Sequence, residues 1–358
     1  MGAELQSDVL IVGAGIAGLM AAGALQRQGY HVIVVEKELD AGGRMATQRL
    51  GPGQADSGAQ FFTVRELQFE QFVAAWQAEG LVYEWVRGWS DGSAMATPDD
   101  GHARYVVAGG MAAVPRQLAQ GLDVRTGARV TSVKVTESGW QIDLENGATY
   151  HGRALLLTPP VPQSLALLAA GNVLLAAEDR ATLERITYAP CLCGLFWVKG
   201  EVNLPEPGAV QRPDAPIVWI ADNRRKGVSP EATLITVHAS PEHSRRWWLA
   251  PAPEAIGALR NGLRPYLERG ATIHQTQLKR WRYALPTSLH PERALLAAGL
   301  PPLAFAGDAF NGPRVEGAAL SGLAAADALG AALSYSSSRS GSSKKSSSSS
   351  SGSGGLAR

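Results

Sequence analysis

The sequence predicts an α/β fold, and three stretches carry the prediction. The first is an apolar run that passes into a glycine turn, Asp8-Val-Leu-Ile-Val-Gly13-Ala14-Gly15-Ile16-Ala17-Gly18. The second is an apolar run ending on an acid, His31-Val-Ile-Val-Val-Glu36, with Gly42-Gly43-Arg44 soon after. The third is Phe305-Ala-Gly307-Asp308, another apolar strand ending in Gly-Asp, with a helix expected after Pro313. Strand, glycine turn, helix and strand in that order begin a dinucleotide-binding βαβ unit. The third stretch returns to the same sheet from the far end of the chain. The expected architecture is therefore a discontinuous Rossmann-type domain, with a second α+β substrate domain on a mostly antiparallel sheet.

The chemistry of these residue types points to the ligand. Glycines at 13, 15 and 18 let backbone N–H groups approach a pyrophosphate, and the helix N-terminus favours its negative charge. At the end of the second strand, the Glu36 carboxylate can accept hydrogen bonds from both ribose hydroxyls of an adenosine. Gly43 and Arg44 turn the reading toward FAD rather than NAD, since an arginine there can pair bidentately with a diphosphate. A strand–glycine–helix turn with no nucleotide, and Arg44 as a solvated loop residue, are the plainer alternatives.

Size and composition agree. The chain has 358 residues, 45% of them hydrophobic, enough for about two domains. The net charge is +1, and the segment from Ser334 supplies Arg339, Lys344, Lys345 and Arg358 with no acid, leaving the body mildly acidic. Such a body has no footprint for nucleic acid. Cys191 and Cys193, at i and i+2, are too few for a disulfide framework or a zinc site; no metal is expected. The first apolar run follows Glu4 and Asp8 and belongs to the nucleotide fold, so no secretory leader and no membrane span are expected, and a cytoplasmic location follows. The small-residue segment Ala318–Leu333 contains Asp327 and fits a packed helix better than a span.

Along the chain, Ile16–Gln28 reads as a helix of small residues that can pack closely on a sheet. Leu67–Glu79 reads as an amphipathic helix with Phe69, Phe72, Val73 and Trp76 at helical spacing, and Leu81–Arg87 as a strand. A helix is expected from Gly109 to Gln120. Strands follow at Ala128–Val135, Trp140–Leu144, Ala148–Gly152 and Ala154–Thr158, with a hairpin turn at Asn146-Gly147 and a stop at Pro159-Pro160. Beyond these lie isolated strands, Leu192–Val198, Ile217–Ala221, Thr233–Ala239 and Gln277–Ala284, with a helix at Pro253–Glu268. Leu303–Gly307 and Arg314–Leu333 return as strand and helix. The expected division assigns 1–66, 105–160 and 291–333 to the FAD-binding half and 67–104 and 161–290 to the substrate half. The Ser-rich tail 334–358 is expected to be disordered.

Gly13-x-Gly15-x-x-Gly18, Glu36, Gly43-Arg44 and Gly307-Asp308 with Gly317-Ala318 together resemble the flavin amine oxidase superfamily. Asp56-Ser-Gly58-Ala-Gln60-Phe-Phe62, Trp281-Arg-Tyr283-Ala and Arg314-Val-Glu-Gly317-Ala-Ala-Leu-Ser-Gly322 are similar to its renalase-like branch. The resemblance implies that Gly13, Ala14, Gly15, Ile16, Ala17 and Gly18 meet the FAD diphosphate. It puts Glu36, with Lys37 beside it, on the adenosine ribose. Gly43 and Arg44 would cover the diphosphate, Ala59, Gln60 and Phe61 would line the flavin, and Val130 would bind adenine through its main chain. Asp308, Arg314, Val315, Glu316 and Ala318 would complete the flavin site. Asp308 stands where a carboxylate can bind a ribityl hydroxyl, or cap the following helix. Gln60 is a polar contact near the flavin or a turn residue.

His238, Trp281 and Tyr283 are the candidate catalytic residues. His238 lies on an otherwise apolar strand, and either hydrogen-bonds substrate carboxamide or flavin, or is an ordinary core histidine. Trp281 and Tyr283 share a strand face with Lys279 and could wall a pocket, or belong to the sheet core. The expected activity, implied by the resemblance, is oxidation of dihydro isomers of NAD(P)H by noncovalent FAD, with electrons passed to O2 to give H2O2. Amine oxidation or desaturation on this fold, and a non-catalytic FAD-binding module, are the alternatives. The expected partners are a small molecule, in particular a reduced nicotinamide nucleotide, and O2.

Overall fold

In the computed structural model, which describes residues 5–91 and 99–345, the first apolar run becomes Leu5–Val12, at the heart of an eight-stranded sheet. Its parallel neighbours are Val32–Val35 on one side and Thr149–Leu157 on the other. Beyond these lie Asp123–Arg125 and Leu303–Phe305, also parallel. Leu295–Leu296 closes that edge antiparallel, and the hairpin Val130–Thr136/Gly139–Leu144 joins through an antiparallel pairing with Thr149–Leu157. Val9, Leu10, Ile11, Ile33 and Val34 are fully buried, as expected of parallel strands covered on both faces.

One face is covered by three helices, Ile16–Arg27, Leu67–Ala78 and Val315–Lys345. A Cβ at Gly322 would lie 2.1 Å from the Ala17 carbonyl oxygen, so the first and last helices meet backbone to backbone. The other face carries Val161–Ala170 and Ala177–Glu184, which insert Val161, Leu168 and Leu183 among Val133, Trp140 and Ile142.

The five-stranded sheet is antiparallel throughout, in the order Ala209–Gln211, Ile217–Asp222, Thr233–Ala239, Tyr188–Lys199, Thr272–Pro286. Strand alternation gives it two faces. Leu192, Phe196, Ile235 and Val237 meet Ala255, Leu259 and Leu263 of the helix Ala252–Leu263. Cys193, Leu195 and Leu234 meet Leu50 and Ala55 of the hairpin Thr47–Leu50/Gly53–Asp56. The second face therefore looks toward the nucleotide-binding half and carries Thr236 and His238 with it.

Four sequence expectations need correction. Leu67–Ala78, grouped with the substrate half, buries Phe69, Val73 and Trp76 in the core of the first helix and Val315–Lys345. Residues 161–186 likewise pack on the large sheet rather than the small one. The segments Ala148–Gly152 and Ala154–Thr158 form one strand, Thr149–Leu157, because Gly152 stays in register opposite Trp140. The last helix does not stop at Ser334 but runs to Lys345; extending a packed helix avoids the nucleation cost that makes isolated serine-rich helices unstable. The rest of the expected tail, residues 346–358, lies outside the described residues. Val315–Tyr335 is long and apolar enough to cross a membrane, yet 67% of its most apolar window is buried within the fold.

Candidate cofactor and active site

The strand Leu5–Val12 ends where Gly13 turns with φ of +102° and donates its N–H to the Val35 carbonyl at 2.8 Å. A Cβ at Gly18 would stand 2.0 Å from the Gly13 oxygen, whereas a Cβ at Gly15 meets nothing within 4 Å. The third glycine is thus required by the protein's own packing, and Gly15 fronts open space at the helix N-terminus. No side chain caps that terminus, so its first N–H groups remain for a ligand. Glu36 is 5% exposed, and its carboxylate accepts from the Ala14 N–H at 2.8 Å and the Glu38 N–H at 2.9 Å. Each oxygen keeps further acceptor capacity. The Ala128 N–H donates to the Glu36 carbonyl, which brings Val130, at the start of its strand, to the same end. Lys37 is exposed and 3.9 Å from Glu38.

At the opposite end, Arg44 and Asp308 form a bidentate pair, with Nη1–Oδ2 at 2.6 Å and Nη2–Oδ1 at 2.7 Å. Arg44 Nη1 also donates to the Tyr283 carbonyl at 3.3 Å. The Tyr283 ring meets Tyr188 edge-on, centroids 5.6 Å apart, and burial, with Asp308 nearby, pushes the Tyr188 hydroxyl up to about 12. The two predicted cofactor residues are thus brought together, 264 positions apart in the chain. Gly307 donates its N–H to Ser321 Oγ at 2.8 Å, tying the strand end to the last helix.

Between these ends runs the loop from Asp56 to Phe62. A Cβ at Gly58 would lie 2.0 Å from the Arg44 carbonyl oxygen, and the Ala59 N–H donates to that oxygen at 2.8 Å. The Ser57 carbonyl is held from the small sheet by two side chains, Trp281 Nε1 at 2.8 Å and His238 Nε2 at 3.2 Å. Burial pushes the His238 imidazole down to about 4, with the Lys226 charge adding to it, so the ring is neutral at physiological pH. Beside the loop is a cavity of about 270 Å³ whose lining includes Gly58, Gln60, Phe61, Val218, Trp219 and His238. Phe61 and Trp219 form its aromatic wall, backed by Trp89 at 5.0 and 4.8 Å centroid distance.

Four predicted cofactor side chains are engaged within the protein: Arg44, expected on the diphosphate, and Asp308, expected on a ribityl hydroxyl, pair with each other, and Gln60 and Glu316 bind backbone groups. Gln60 donates to the Asp56 and Gly58 carbonyls at 2.8 and 3.0 Å and accepts from Trp219 Nε1 at 3.2 Å; it secures the turn, the plainer alternative. Glu316 is buried, and its carboxylate accepts from the Arg65 and Glu66 N–H groups at 2.7 and 2.9 Å, because that helix start is otherwise uncapped. Its side chain therefore faces the Leu67–Ala78 helix. Arg314 is exposed and Val315 half-buried at the start of the last helix. Of the candidate catalytic residues, His238 lines the cavity, Trp281 grips the loop behind it, and Tyr283 stands by Arg44.

The sequence reading missed the polar centre behind the loop. Lys226 Nζ lies 2.6 Å from Asp56 Oδ2, both side chains fully buried. Thr47 Oγ1 and the Met111 N–H donate to Asp56 Oδ1 at 2.6 and 2.8 Å. Asn223 Oδ1 accepts from the Asp56 N–H at 3.2 Å. Asp56 sits in the quoted Asp-Ser-Gly stretch, but a lone lysine in a turn carries no periodicity that announces its burial.

An uncapped helix start facing open space, an acid at the second strand end, and a glycine loop running to an Arg–Asp pair fit an extended dinucleotide. They define a dinucleotide-dependent oxidoreductase fold. Residues 84–330 match the family model described as flavin containing amine oxidoreductase, and residues 11–76 match the NAD(P)-binding Rossmann-like domain. The chain belongs to the flavin containing amine oxidoreductase family, and its cofactor is FAD. Among similar proteins, renalase of Mus musculus is 26% identical over 218 residues, covering 56% of this chain and 61% of that protein. Rifampicin monooxygenase of Rhodococcus hoagii is 30% identical over 158 residues, 42% of this chain and 31% of that protein. The chain therefore spans less than two thirds of these relatives. The solved structure of a putrescine oxidase triple mutant overlays with a TM-score of 0.66 at 16% identity, covering 92% of this chain and all of that one; it shares the fold.

Proposed function

We propose that this oxidoreductase takes hydride from a small reduced heterocycle, a dihydro isomer of NAD(P), and passes the electrons to O2 with formation of H2O2. One observation carries the reading. Among the described residues, no carboxylate, lysine or arginine lines the cavity beside the loop 57–61, and its single titratable group, His238, is neutral. An ammonium substrate must lose a proton before oxidation, and a base is wanted nearby. A dihydronicotinamide gives up hydride to become an aromatic cation and needs no base, only stacking and alignment. The likeness to mouse renalase supports the same reading.

Bound FAD supplies the hydride acceptor and the route to oxygen. This chain's residues bind and orient. Gly13 to Gly18 and Glu36 hold the adenosine diphosphate, with Ala14, Ile16, Ala17, Lys37 and Val130 around it. Gly43, Arg44, Asp308 and the helix start from Arg314 to Ala318 hold the other end, and Ala59 and Phe61 line the ring. Phe61 and Trp219 offer flat faces to a planar substrate, and Trp281 and His238 fix the loop between substrate and cofactor. The large sheet is the nucleotide half and the five-stranded sheet the substrate half. FAD is held noncovalently, and the free thiols Cys191 and Cys193 suit a reducing cytoplasm.

Amine oxidation is the second reading, favoured by the family description and by Lys279 Nζ, 5.0 Å from the Trp281 ring centroid. Anaerobic rapid mixing of the FAD-loaded protein with 2- and 6-dihydro-NAD(P), set against a panel of amines, decides. Fast loss of the yellow colour with the dihydronicotinamides is expected. Bleaching by amines alone overturns the proposal.

A further inference from the structure

The two nitrogens of His238 face different worlds. Nε2 is 3.2 Å from the Ser57 carbonyl oxygen. A carbonyl can only accept, so Nε2 carries the proton and Nδ1 of the neutral ring carries a lone pair. Trp281 donates to the same oxygen at 2.8 Å, which fixes where that oxygen sits and so which way the imidazole is turned. Nδ1 has no protein partner among the described residues and is not sealed within the protein, while the residue itself lines the cavity. The lone pair is therefore left accessible, on a residue that lines the cavity.

The other polar groups there cannot take over its role. Both ends of the Gln60 amide are engaged, and Gln211, which also lines the cavity, is exposed. Of the cations nearby, Lys226 is consumed by Asp56 and Lys279 Nζ lies over the Trp281 ring, and neither lines the cavity. A ligand donor set against Nδ1 is matched, whereas a carboxylate there meets a lone pair with no cation to compensate.

We propose that His238 Nδ1 is the acceptor that makes this site choose a flat ring bearing a carboxamide N–H over the same ring bearing a carboxylate. The inference rests on the reading of the cavity as a site for a planar heterocycle, and it names the feature by which that heterocycle is selected. The Phe61 and Trp219 faces hold the ring; His238 reads its substituent.

The test uses unreactive probes, so that it stands apart from turnover. The FAD-loaded full chain is titrated with nicotinamide against nicotinate, and with benzamide against benzoate, followed by perturbation of the flavin absorbance and by calorimetry. The amide of each pair is expected to bind roughly 10–100-fold more tightly. In His238→Leu, with bound flavin and melting checked, the preference should fall close to unity. Equal affinities in the wild type, tighter binding of the acids, no binding of either probe at millimolar concentration, or a preference that survives in His238→Leu would each overturn the inference. If the leucine variant does not fold, the wild-type ratios alone decide. Amide preference without bleaching by dihydronicotinamides would sink the proposed reaction and leave this inference standing.

Discussion

The Lys226 ammonium lies 2.6 Å from the Asp56 carboxylate, with neither side chain exposed to solvent. The pair joins the turn after Ile217–Asp222 to the strand Gly53–Asp56 and so ties the five-stranded sheet to the hairpin Thr47–Leu50/Gly53–Asp56 behind the loop that borders the cavity. Burial alone would drive the lysine toward its neutral form; the carboxylate opposes this. Lys226→Met leaves a buried, unpaired carboxylate, and a loss of about 3–5 kcal/mol is expected. Lys226→Met with Asp56→Asn removes both charges and should recover much of that loss in urea unfolding. A double variant no more stable than the single would show that charge pairing is not what holds this centre.

Glu36→Ala should weaken FAD binding by ~1–3 kcal/mol, because charge-assisted hydrogen bonds to the ribose are lost. Flavin retention after dialysis and a fluorescence titration measure it. Unchanged occupancy would contradict the assignment of this acid.

Gly15 and Gly18 should respond differently to the same added methyl. At Gly18 the new Cβ falls 2.0 Å from a backbone oxygen, so Gly18→Ala is expected to destabilise the protein by about 1–3 kcal/mol. At Gly15 an added Cβ meets nothing within 4 Å, so Gly15→Ala should fold as the wild type does and yet bind FAD more weakly. Melting without cofactor, alongside flavin content, separates the two effects.

The half-buried imidazole of His238 should shape the acid limb of stability. Its value falls from the usual 6.5 to about 4, chiefly through burial. Between those limits the unfolded chain binds more protons than the folded one, so stability rises with pH. The contribution is complete above pH 6.5 and is lost as pH falls toward 4, roughly 3 kcal/mol in all. Melting curves across this window should slope less in His238→Leu. Equal slopes would show that the ring titrates alike in the folded and the unfolded chain.

Periodicity and glycine turns made the nucleotide half legible in advance. Val32–Val35 and Thr233–Ala239 fall within or on the expected limits, because strands buried on one or both faces write their burial into the sequence. Arg44 and Asp308 were legible as separate motif residues, but their pairing was not, since a contact across 264 positions leaves no local trace. Gln60 and Glu316 show the opposite limit. Both were read toward the cofactor, and both side chains satisfy backbone groups that only the folded chain brings near. Lys226 was invisible for a related reason: its burial depends on Asp56, Tyr83 and Trp85, which reach it from other segments of the chain.

The central strand Leu5–Val12 is the first described element, yet its neighbour Thr149–Leu157 gains its own outer partner only at Leu303–Phe305. The helix that covers Ile16–Arg27 follows later still. During synthesis on a ribosome, the first strand and helix must therefore wait, half-clothed, until the segment from Leu303 through the helix at Val315 emerges. Nascent chains halted before residue 303 should stay sensitive to protease, and chaperones should find their longest-lived client surface on the first helix rather than on the small sheet.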